Sequence, residues 1–246
     1  MVKIKHGSVR TKHMNKEISK LLWLVIPIIV AVLPYIARMI SLNTDGYMYG
    51  ELGVIENLTV IFLFVAIIAN VLFLLSENNS NIGGVRVWMV LFLLGSFYYA
   101  GEEISWGQHF IGWSTPEQWL SVNDQQETNL HNISPLFDQI PRALLSIAAL
   151  VGGVFVPLYR KFKHHIPDAS SIYDWIWPTY VCLPAGLLAL LVSWHEKVYR
   201  GLGVEIPSVL NIRAGETKEC LLAIFMMMYA LSIWYRNRNL KISKSF

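Results

Sequence analysis

The chain has 246 residues and a net charge of +3; 54% of its residues are hydrophobic and only 15% are charged. A soluble domain carries about 25% charged residues, so the composition argues against a soluble globular protein and predicts an integral membrane protein. The two cysteines, Cys182 and Cys220, lie inside apolar runs, which excludes a disulfide framework and a CxxC metal motif.

Six apolar stretches reach or approach the length that crosses a bilayer, which is about 20 residues. They predict an all-α, polytopic bundle of about six transmembrane helices at residues 21–40, 54–76, 85–101, 140–159, 173–194 and 217–235. The first stretch follows a basic segment, as in a signal peptide, but its length and the lack of a small-residue cleavage site favour a retained helix. Pro27 and Pro34 predict a kink in it.

The predicted spans divide the chain into three parts. We expect a basic cytoplasmic tail at residues 1–20, one transmembrane domain at 21–235 and a second basic cytoplasmic tail at 236–246. The longest connection, at residues 102–139, joins the third and fourth spans and belongs to the transmembrane domain.

Basic residues favour one side of the predicted membrane. With six spans, 14 of the 20 Lys and Arg residues fall on the side of both termini, and the connection 102–139 contains none. Because basic segments remain in the cytoplasm, we expect both termini to be cytoplasmic and this connection to be periplasmic, in a bacterial inner membrane. The acidic residues do the opposite, since 13 of 17 fall on the outer side. Topology does not require that enrichment, so it indicates a function.

Several of the outer carboxylates lie at predicted helix ends, where spans meet the outer interface: Glu56, Glu102, Glu103, Glu196, Glu216 and Glu219. An acidic residue within a span usually faces the bundle interior or a wet cavity. Four helices contributing carboxylates at one depth predict a shared polar pocket. Each position also has an ordinary explanation, as a solvated helix end, an interfacial cap or an acidic first turn that favours the helix dipole.

The connection 102–139 contains two polar segments, at residues 101–109 and 123–132. If the third helix continues through the first segment, Glu102, Trp106 and His109 share one face of it.

Glu127 and His131 are four residues apart, which lets both reach one ion from a single helical turn. Taken alone, a surface pair is the simpler explanation. Glu and His on facing helices commonly build metal sites in bundles. Carboxylate with imidazole suits Zn, Mn or Fe, whereas carboxylate alone suits Ca or Mg, and the sequence does not distinguish these ions.

The two segments read GEEISWGQ at residues 101–108 and NDQQETNLHN at residues 123–132. They resemble the hallmark of a family of poorly characterised bacterial polytopic inner-membrane proteins, and residues 51–56 are a weaker echo of it. The resemblance implies no activity, but it implies one site that contains Glu102, Glu103, Trp106, Gln108, Glu127, Asn129 and His131. The family pattern has a basic residue where this chain has His109, which argues against His109 as an essential ligand.

The leading hypothesis is a membrane-embedded, divalent-metal-dependent hydrolase or transferase that acts on a lipid or lipid-linked envelope substrate at the outer leaflet. Glu103 and His195 are the candidate catalytic residues, because a general base would activate metal-bound water. The candidate metal ligands are Glu102, Glu103, Glu127 and His131. The candidate supporting residues are Glu56, Ser105, Trp106, Gln108, His109, Asn129, Glu196, Glu216 and Glu219.

Other functions remain open at this point. A non-catalytic scaffold of envelope biogenesis predicts tolerance of Glu102→Gln and His131→Ala. A cation or proton transporter predicts ionisable groups at several depths, yet Asn70 and Ser96 are the main polar residues deep in the spans. A sensor that binds cations predicts the same ligands as the enzyme. Membrane lipids are the expected partners, and no motif indicates binding to nucleic acid.

Overall fold

A computed structural model of the chain describes residues 17–41, 45–49, 53–76, 83–120, 123, 128–130 and 133–244, with only the backbone described at residues 45, 46, 109, 135, 138 and 241–244. Within this part of the chain, six helices are long and apolar enough to cross a membrane. The prediction of an all-α, multi-pass bundle is therefore confirmed.

Three of the six spanning helices are single stretches and three change character along their length. The single stretches are α2 (Val54–Leu74), α3 (Gly83–Glu103) and α6 (Ala214–Lys244). Helix α1 (Leu21–Ile40) begins with a π-helical turn, Leu21–Val25. Helix α4 consists of Pro135–Ala148, a π-helical segment Ala149–Phe155, and Val156–Phe162. Helix α5 consists of Ile172–Ile176, Tyr180–Cys182, Leu183–Leu191 and Trp194–Gly201.

Helix α6 forms the centre of the bundle. Every residue from Cys220 to Ala230 is buried, as expected for a helix that is apolar all round. Helix α2 runs parallel to it, and Asn237 near the end of α6 donates a hydrogen bond to Ser76 just after α2. The outer helices expose large apolar side chains, which suits contact with lipid tails.

Helices α4 and α5 approach each other closely because both carry glycine. A Cβ atom on Gly186 would lie 3.1 Å from the carbonyl oxygen of Ala149, and one on Gly153 would lie 2.8 Å from the ring of Phe225. Small residues allow such backbone approach between membrane helices, where van der Waals packing drives association. These glycines fix α4 against both α5 and α6.

The two ends of the bundle differ in chemistry. We name the end where α3 finishes and α6 begins the motif face, and the opposite end the basic face. At the basic face, Arg236 is 1% exposed. It donates hydrogen bonds to the carbonyl oxygens of Asp174, at 2.8 Å, and Trp175, at 3.3 Å. The carboxylate of Asp174 in turn pairs with Arg160 at 2.6 Å and His165 at 2.7 Å.

Glu17 joins this network from the segment before α1. Its Oε2 atom accepts a hydrogen bond from Ser232 at 2.9 Å, and its Oε1 atom lies 3.9 Å from Nε of Arg236. Burial raises the pKa of Glu17, although the charge of Arg236 opposes that shift. The basic face is therefore closed by polar groups that satisfy one another.

Two boundaries differ from the sequence-based expectation. The third helix does not continue through residues 104–109, because Ser105 and Trp106 have φ angles of 45° and 55°, and such left-handed backbone ends an α-helix. The predicted face shared by Glu102, Trp106 and His109 was therefore wrong as a helical face. The last helix, expected to end at residue 235, continues through Lys244, and within it Arg236 and Asn237 bind other elements.

Candidate functional site: a carboxylate-lined cavity

The described residues of the two sequence motifs hydrogen-bond to each other. The buried carboxylate of Glu102 accepts a hydrogen bond from Nε1 of Trp106 and another from the backbone N–H of Leu130, both at 2.8 Å. Asn129 donates to the hydroxyl of Ser105 at 3.0 Å, and Asn123 donates to Asn129. The described parts of the two motifs therefore lie against each other in the fold.

A second set of contacts fixes the rest of the connection. The side-chain amide of Gln108 donates to the hydroxyl of Thr115 at 2.8 Å and accepts from the backbone N–H of Thr128 at 2.5 Å. Trp113 donates to the hydroxyl of Thr128 at 3.2 Å. These residues hold the segments around 105–115 and 128–130 against the end of α3.

Close packing against Trp106 accounts for Gly101, the first glycine of the GEEISWGQ motif. A Cβ atom at this position would lie 2.8 Å from ring carbons of Trp106. Only glycine therefore lets the indole lie on the last turn of α3, where its N–H reaches Glu102. Gly107 adopts a φ angle of +92°, which glycine allows at no steric cost.

His195 and Glu196 lie in a different network of the motif face. Nε2 of His195 donates to the carbonyl oxygen of Leu210 at 2.8 Å, and Nδ1 lies 3.3 Å from the hydroxyl oxygen of Tyr35. Oε1 of Glu196 accepts from the backbone N–H of Ala214 at 2.9 Å, so it caps the start of α6. In this arrangement both residues join helices, and the catalytic role of His195 stays a prediction.

Four of the predicted carboxylates gather where α2, α3 and α6 meet. Glu103 ends α3, Glu56 lies in the first turn of α2, and Glu216 and Glu219 open α6. The charges that act on Glu103 are, from the strongest, those of Glu219, Glu56, Arg142 and Glu216. Residues far apart in sequence therefore form one charged group at the motif face, in which Glu216 also pairs with Arg213 at 3.4 Å.

Arg142 provides the opposite charge within this group. Its guanidinium lies 2.6 Å from Oε1 of Glu219 and is partly exposed. Sequence reasoning missed Arg142, although residues 102–141 directly before it contain no Lys or Arg. A lone basic residue in the first turns of a span that follows an acidic connection was the available signal.

A cavity of about 280 Å³ lies between α3, α4 and α6, and this charged group forms one end of it. The polar lining consists of Glu102, Glu103, Arg142 and Glu219, with Tyr98 and Tyr99 beside them. The remaining lining is apolar and belongs to the spans: Gly95, Phe137, Pro141, Leu145, Leu222 and Met226. The cavity thus joins a charged end at the motif face to an apolar end within the bundle.

No protein-family model, curated protein or solved structure matches the chain. The resemblance to a family of bacterial inner-membrane proteins accordingly stays a prediction, and the site is judged on its geometry.

Only some of the residues of the predicted metal site are described by the structure. Glu127 and His131 lie outside the described residues, as does the side chain of His109. Among the described residues, no group of three or more His, Cys, Asp or Glu side chains is arranged to hold a metal ion. Glu102, a predicted ligand, is engaged by Trp106 and Leu130. The metal therefore stays a prediction.

Proposed function

We propose that this chain is a membrane-embedded hydrolase or transferase that acts on the head group of a lipid or lipid-linked substrate. The observation that supports the proposal is the cavity, which joins Glu103, Glu219 and Arg142 to an apolar wall within the spans. A substrate with a polar head and a hydrocarbon chain would reach both parts together. The charge distribution favours a plasma membrane, bacterial by resemblance, with the motif face outside.

Glu103 is the proposed general acid or base, because it lines the cavity and lies among charges from three other helices. Carboxylates crowded in a confined site repel one another, and a proton or a bound cation relieves that repulsion. A Glu that exchanges a proton with a substrate could therefore serve catalysis. Arg142, held by Glu219, would stabilise negative charge that develops on the head group.

A divalent ion is the proposed cofactor, with Glu103, Glu127 and His131 as ligands and Glu56, Glu216 and Glu219 around them, and with the ion bound a remaining Glu or His195, rather than Glu103, is the general base. The ion would supply a nucleophilic water at neutral pH. Elemental analysis of detergent-purified protein tests this part. A stoichiometric ion in the wild type that is lost in Glu103→Gln and His131→Ala, with the fold retained, supports the ion. A wild type without any metal removes the ion and leaves acid–base chemistry by Glu103.

The enzyme proposal is tested by turnover in liposomes made from a membrane lipid extract, with products followed by mass spectrometry. We expect Glu103→Gln to lower turnover about a hundredfold or more, as for loss of a general acid or base. Glu117→Gln is the matched control, because Glu117 is exposed in the short helix Glu117–Leu120. Conversion of no lipid by the wild type, or equal turnover in both variants, contradicts the proposal.

The second candidate is a non-catalytic scaffold. The contacts of the motif residues favour it, because Glu102, Ser105, Gln108 and Asn129 all engage in hydrogen bonds that hold the connection in place. A scaffold predicts an envelope protein that co-purifies equally with wild type and Glu103→Gln. An enzyme predicts that Glu103→Gln alone accumulates an unconverted lipid.

A further inference from the structure

The depth of the cavity constrains what it can hold. Gly95 precedes Glu103 by eight residues on α3, and Met226 follows Glu219 by seven residues on α6. At 1.5 Å per residue, the apolar end lies about 10–12 Å deeper than the charged end. An occupant must therefore be apolar over this depth and polar at the motif face.

The cavity opens sideways between α3 and α4. Gly95 and Pro141 border it on the two helices and are exposed, and Phe137 is 48% exposed. A Cβ atom on Gly95 would meet no atom within 4 Å. The volume lies at the lower end of the range for ligand pockets, about 300–1,000 Å³. It suits one hydrocarbon chain that enters from the bilayer, rather than two.

The polar end of the cavity is predominantly acidic. Of the described residues that line it, three are glutamates, Glu102, Glu103 and Glu219, and one, Arg142, is basic. The guanidinium of Arg142 pairs with Glu219 at 2.6 Å, so its charge is already matched within the lining. An anionic head group would have to displace that carboxylate, whereas a cationic head group would meet carboxylates directly.

The carboxylate of Glu103 is the polar group that an occupant would meet. Glu103 lines the cavity, and no hydrogen-bond donor of the described residues reaches its carboxylate. Its neighbour Glu102, in contrast, accepts hydrogen bonds from Trp106 and Leu130. A carboxylate that is removed from bulk water is best stabilised by a charged donor, because ionised partners form the strongest hydrogen bonds in proteins.

Two tyrosines complete the polar end. Tyr98 and Tyr99 line the cavity beside the glutamates. The hydroxyl of Tyr99 donates to the carbonyl oxygen of Glu219 at 3.4 Å, so this side chain reaches from α3 to α6. Aromatic faces attract ammonium groups. A lining of carboxylates and aromatic rings therefore favours an amine over an anion.

We infer that the cavity binds one hydrocarbon chain of a membrane lipid whose head group carries an ammonium. The ammonium donates to the carboxylate of Glu103, and the chain extends along Gly95, Leu222 and Met226. This inference rests on the proposed function, because it names the head-group chemistry of the substrate that meets Glu103. A membrane lipid is the source, since a free amine would leave the apolar lining uncovered.

Native mass spectrometry of the purified protein in a neutral, steroid-based detergent tests the inference with dodecylammonium as the probe. Dodecanol, which has the same chain without the charge, is the reference ligand. We expect the wild type to bind dodecylammonium about tenfold more tightly than dodecanol, equivalent to about 1.4 kcal/mol. Glu103→Gln should abolish this preference, because an amide carries no charge to pair with the ammonium. Glu117→Gln is the control, since Glu117 is exposed in the short helix Glu117–Leu120.

A second variant tests the path of the chain. Gly95→Phe should weaken the binding of both ligands about tenfold, because the ring would occupy the apolar part of the cavity. Gly83→Phe is the matched control, because Gly83 lies on the same helix and a Cβ there also meets no atom within 4 Å. Protection of the two buried cysteines from a thiol-reactive dye shows that each variant is folded.

Four outcomes overturn the inference: equal binding of dodecylammonium and dodecanol by the wild type, an unchanged preference in Glu103→Gln, equal binding by Gly95→Phe and Gly83→Phe, or displacement of the probe by equimolar methylammonium. The proposed function fails separately. If dodecylammonium binds as expected but no lipid is converted, the enzyme proposal falls and the binding site stands. If lipid is converted while the wild type shows no preference for dodecylammonium, the enzyme stands and this inference falls.

Discussion

The basic face and the motif face use charged residues in opposite ways. At the basic face, Arg236 is surrounded by carbonyl oxygens and approaches Glu17, and the carboxylate of Asp174 binds Arg160 and His165. Positive and negative groups alternate there. At the motif face, Glu219 pairs with Arg142 and Glu216 with Arg213, but Glu103 lies close enough to Glu219, Glu56 and Glu216 to be affected by their negative charges.

The two arrangements of charge have different consequences for the stability of the fold. A buried charge that is fully paired holds elements together, and its loss is costly because the partner remains unpaired. Like charges around a cavity destabilise the fold unless a proton, an ion or a ligand lies between them. Natural proteins keep such arrangements where activity requires them. We therefore propose that the motif face is the functional end of the bundle, whereas paired charges close the basic face.

The largest effect is expected from Arg236→Ala at the basic face. This change leaves Glu17 buried without its counter-charge and removes hydrogen bonds to three carbonyl oxygens, those of Ser232, Asp174 and Trp175. We expect a loss of about 3–5 kcal/mol in the free energy of unfolding. A thiol-reactive dye that reports exposure of the buried Cys182 and Cys220 measures the shift in unfolding temperature.

Arg238→Ala is the control for this prediction. Arg238 lies on the same helix, is exposed, and stacks on the ring of Trp234, which is worth about 0.5–1 kcal/mol. Equal destabilisation by the two changes would show that the buried network does not hold the basic face together.

The next effect distinguishes two adjacent glutamates at the motif face. Glu102→Gln replaces the carboxylate, which accepts a hydrogen bond from the N–H of Leu130, with an amide group that also donates hydrogen bonds. We expect a loss of about 1.5–3 kcal/mol, as for a hydrogen bond to a charged group. Hydrogen exchange at the amide of Leu130 should become faster, and the unfolding temperature should fall.

Glu103→Gln should have the opposite effect on stability. Removing one of several crowded negative charges is expected to leave the unfolding temperature unchanged or to raise stability by about 1 kcal/mol, while turnover is lost. A marked destabilisation by Glu103→Gln would mean that Glu103 serves the fold in the same way as Glu102, and the contrast between the two residues would disappear.

The smallest effect concerns pH and Glu17. Because burial raises the pKa of Glu17 in the folded protein, its contribution to stability is complete below the unfolded pKa and is lost as pH rises through the folded pKa. Glu17→Gln carries no such titration. We therefore expect the stability of the wild type relative to the variant to fall as pH rises and to recover as the solution is acidified. Thermal unfolding followed by tryptophan fluorescence from pH 4 to 8 measures this, and a wild type that gains stability over the variant as pH rises would contradict it.

The six spans could be predicted because hydrophobic length is a local property of the sequence. Gathering of Glu56, Glu103 and Glu219 could be predicted as well, since alternating spans place helix ends at a common depth. Contact between the motifs followed from the resemblance, not from their spacing.

Other features depend on tertiary contacts that no local pattern encodes. Arg236 reads as a flanking basic residue, and only packing of α6 against the 174–175 carbonyls buries it. Sequence reasoning placed His195 and Glu196 in the site. Their hydrogen-bond partners, Leu210 and Ala214, depend on the path of the following loop, which no local pattern predicts. The left-handed turn at Trp106 could not be anticipated either, because a bulky residue rarely adopts it.

Helix α4 makes two separate contacts. Arg142 near its start lines the cavity, and Gly153 further along packs against Phe225. The π-helical segment Ala149–Phe155 follows Arg142 and contains Gly153, and it holds more residues per turn than an α-helix. Winding the same residues as a regular α-helix would rotate the first half of the helix about its axis relative to the second half. Arg142 would then leave its place beside Glu219, so the irregular backbone sets the angle at which the guanidinium meets the motif face.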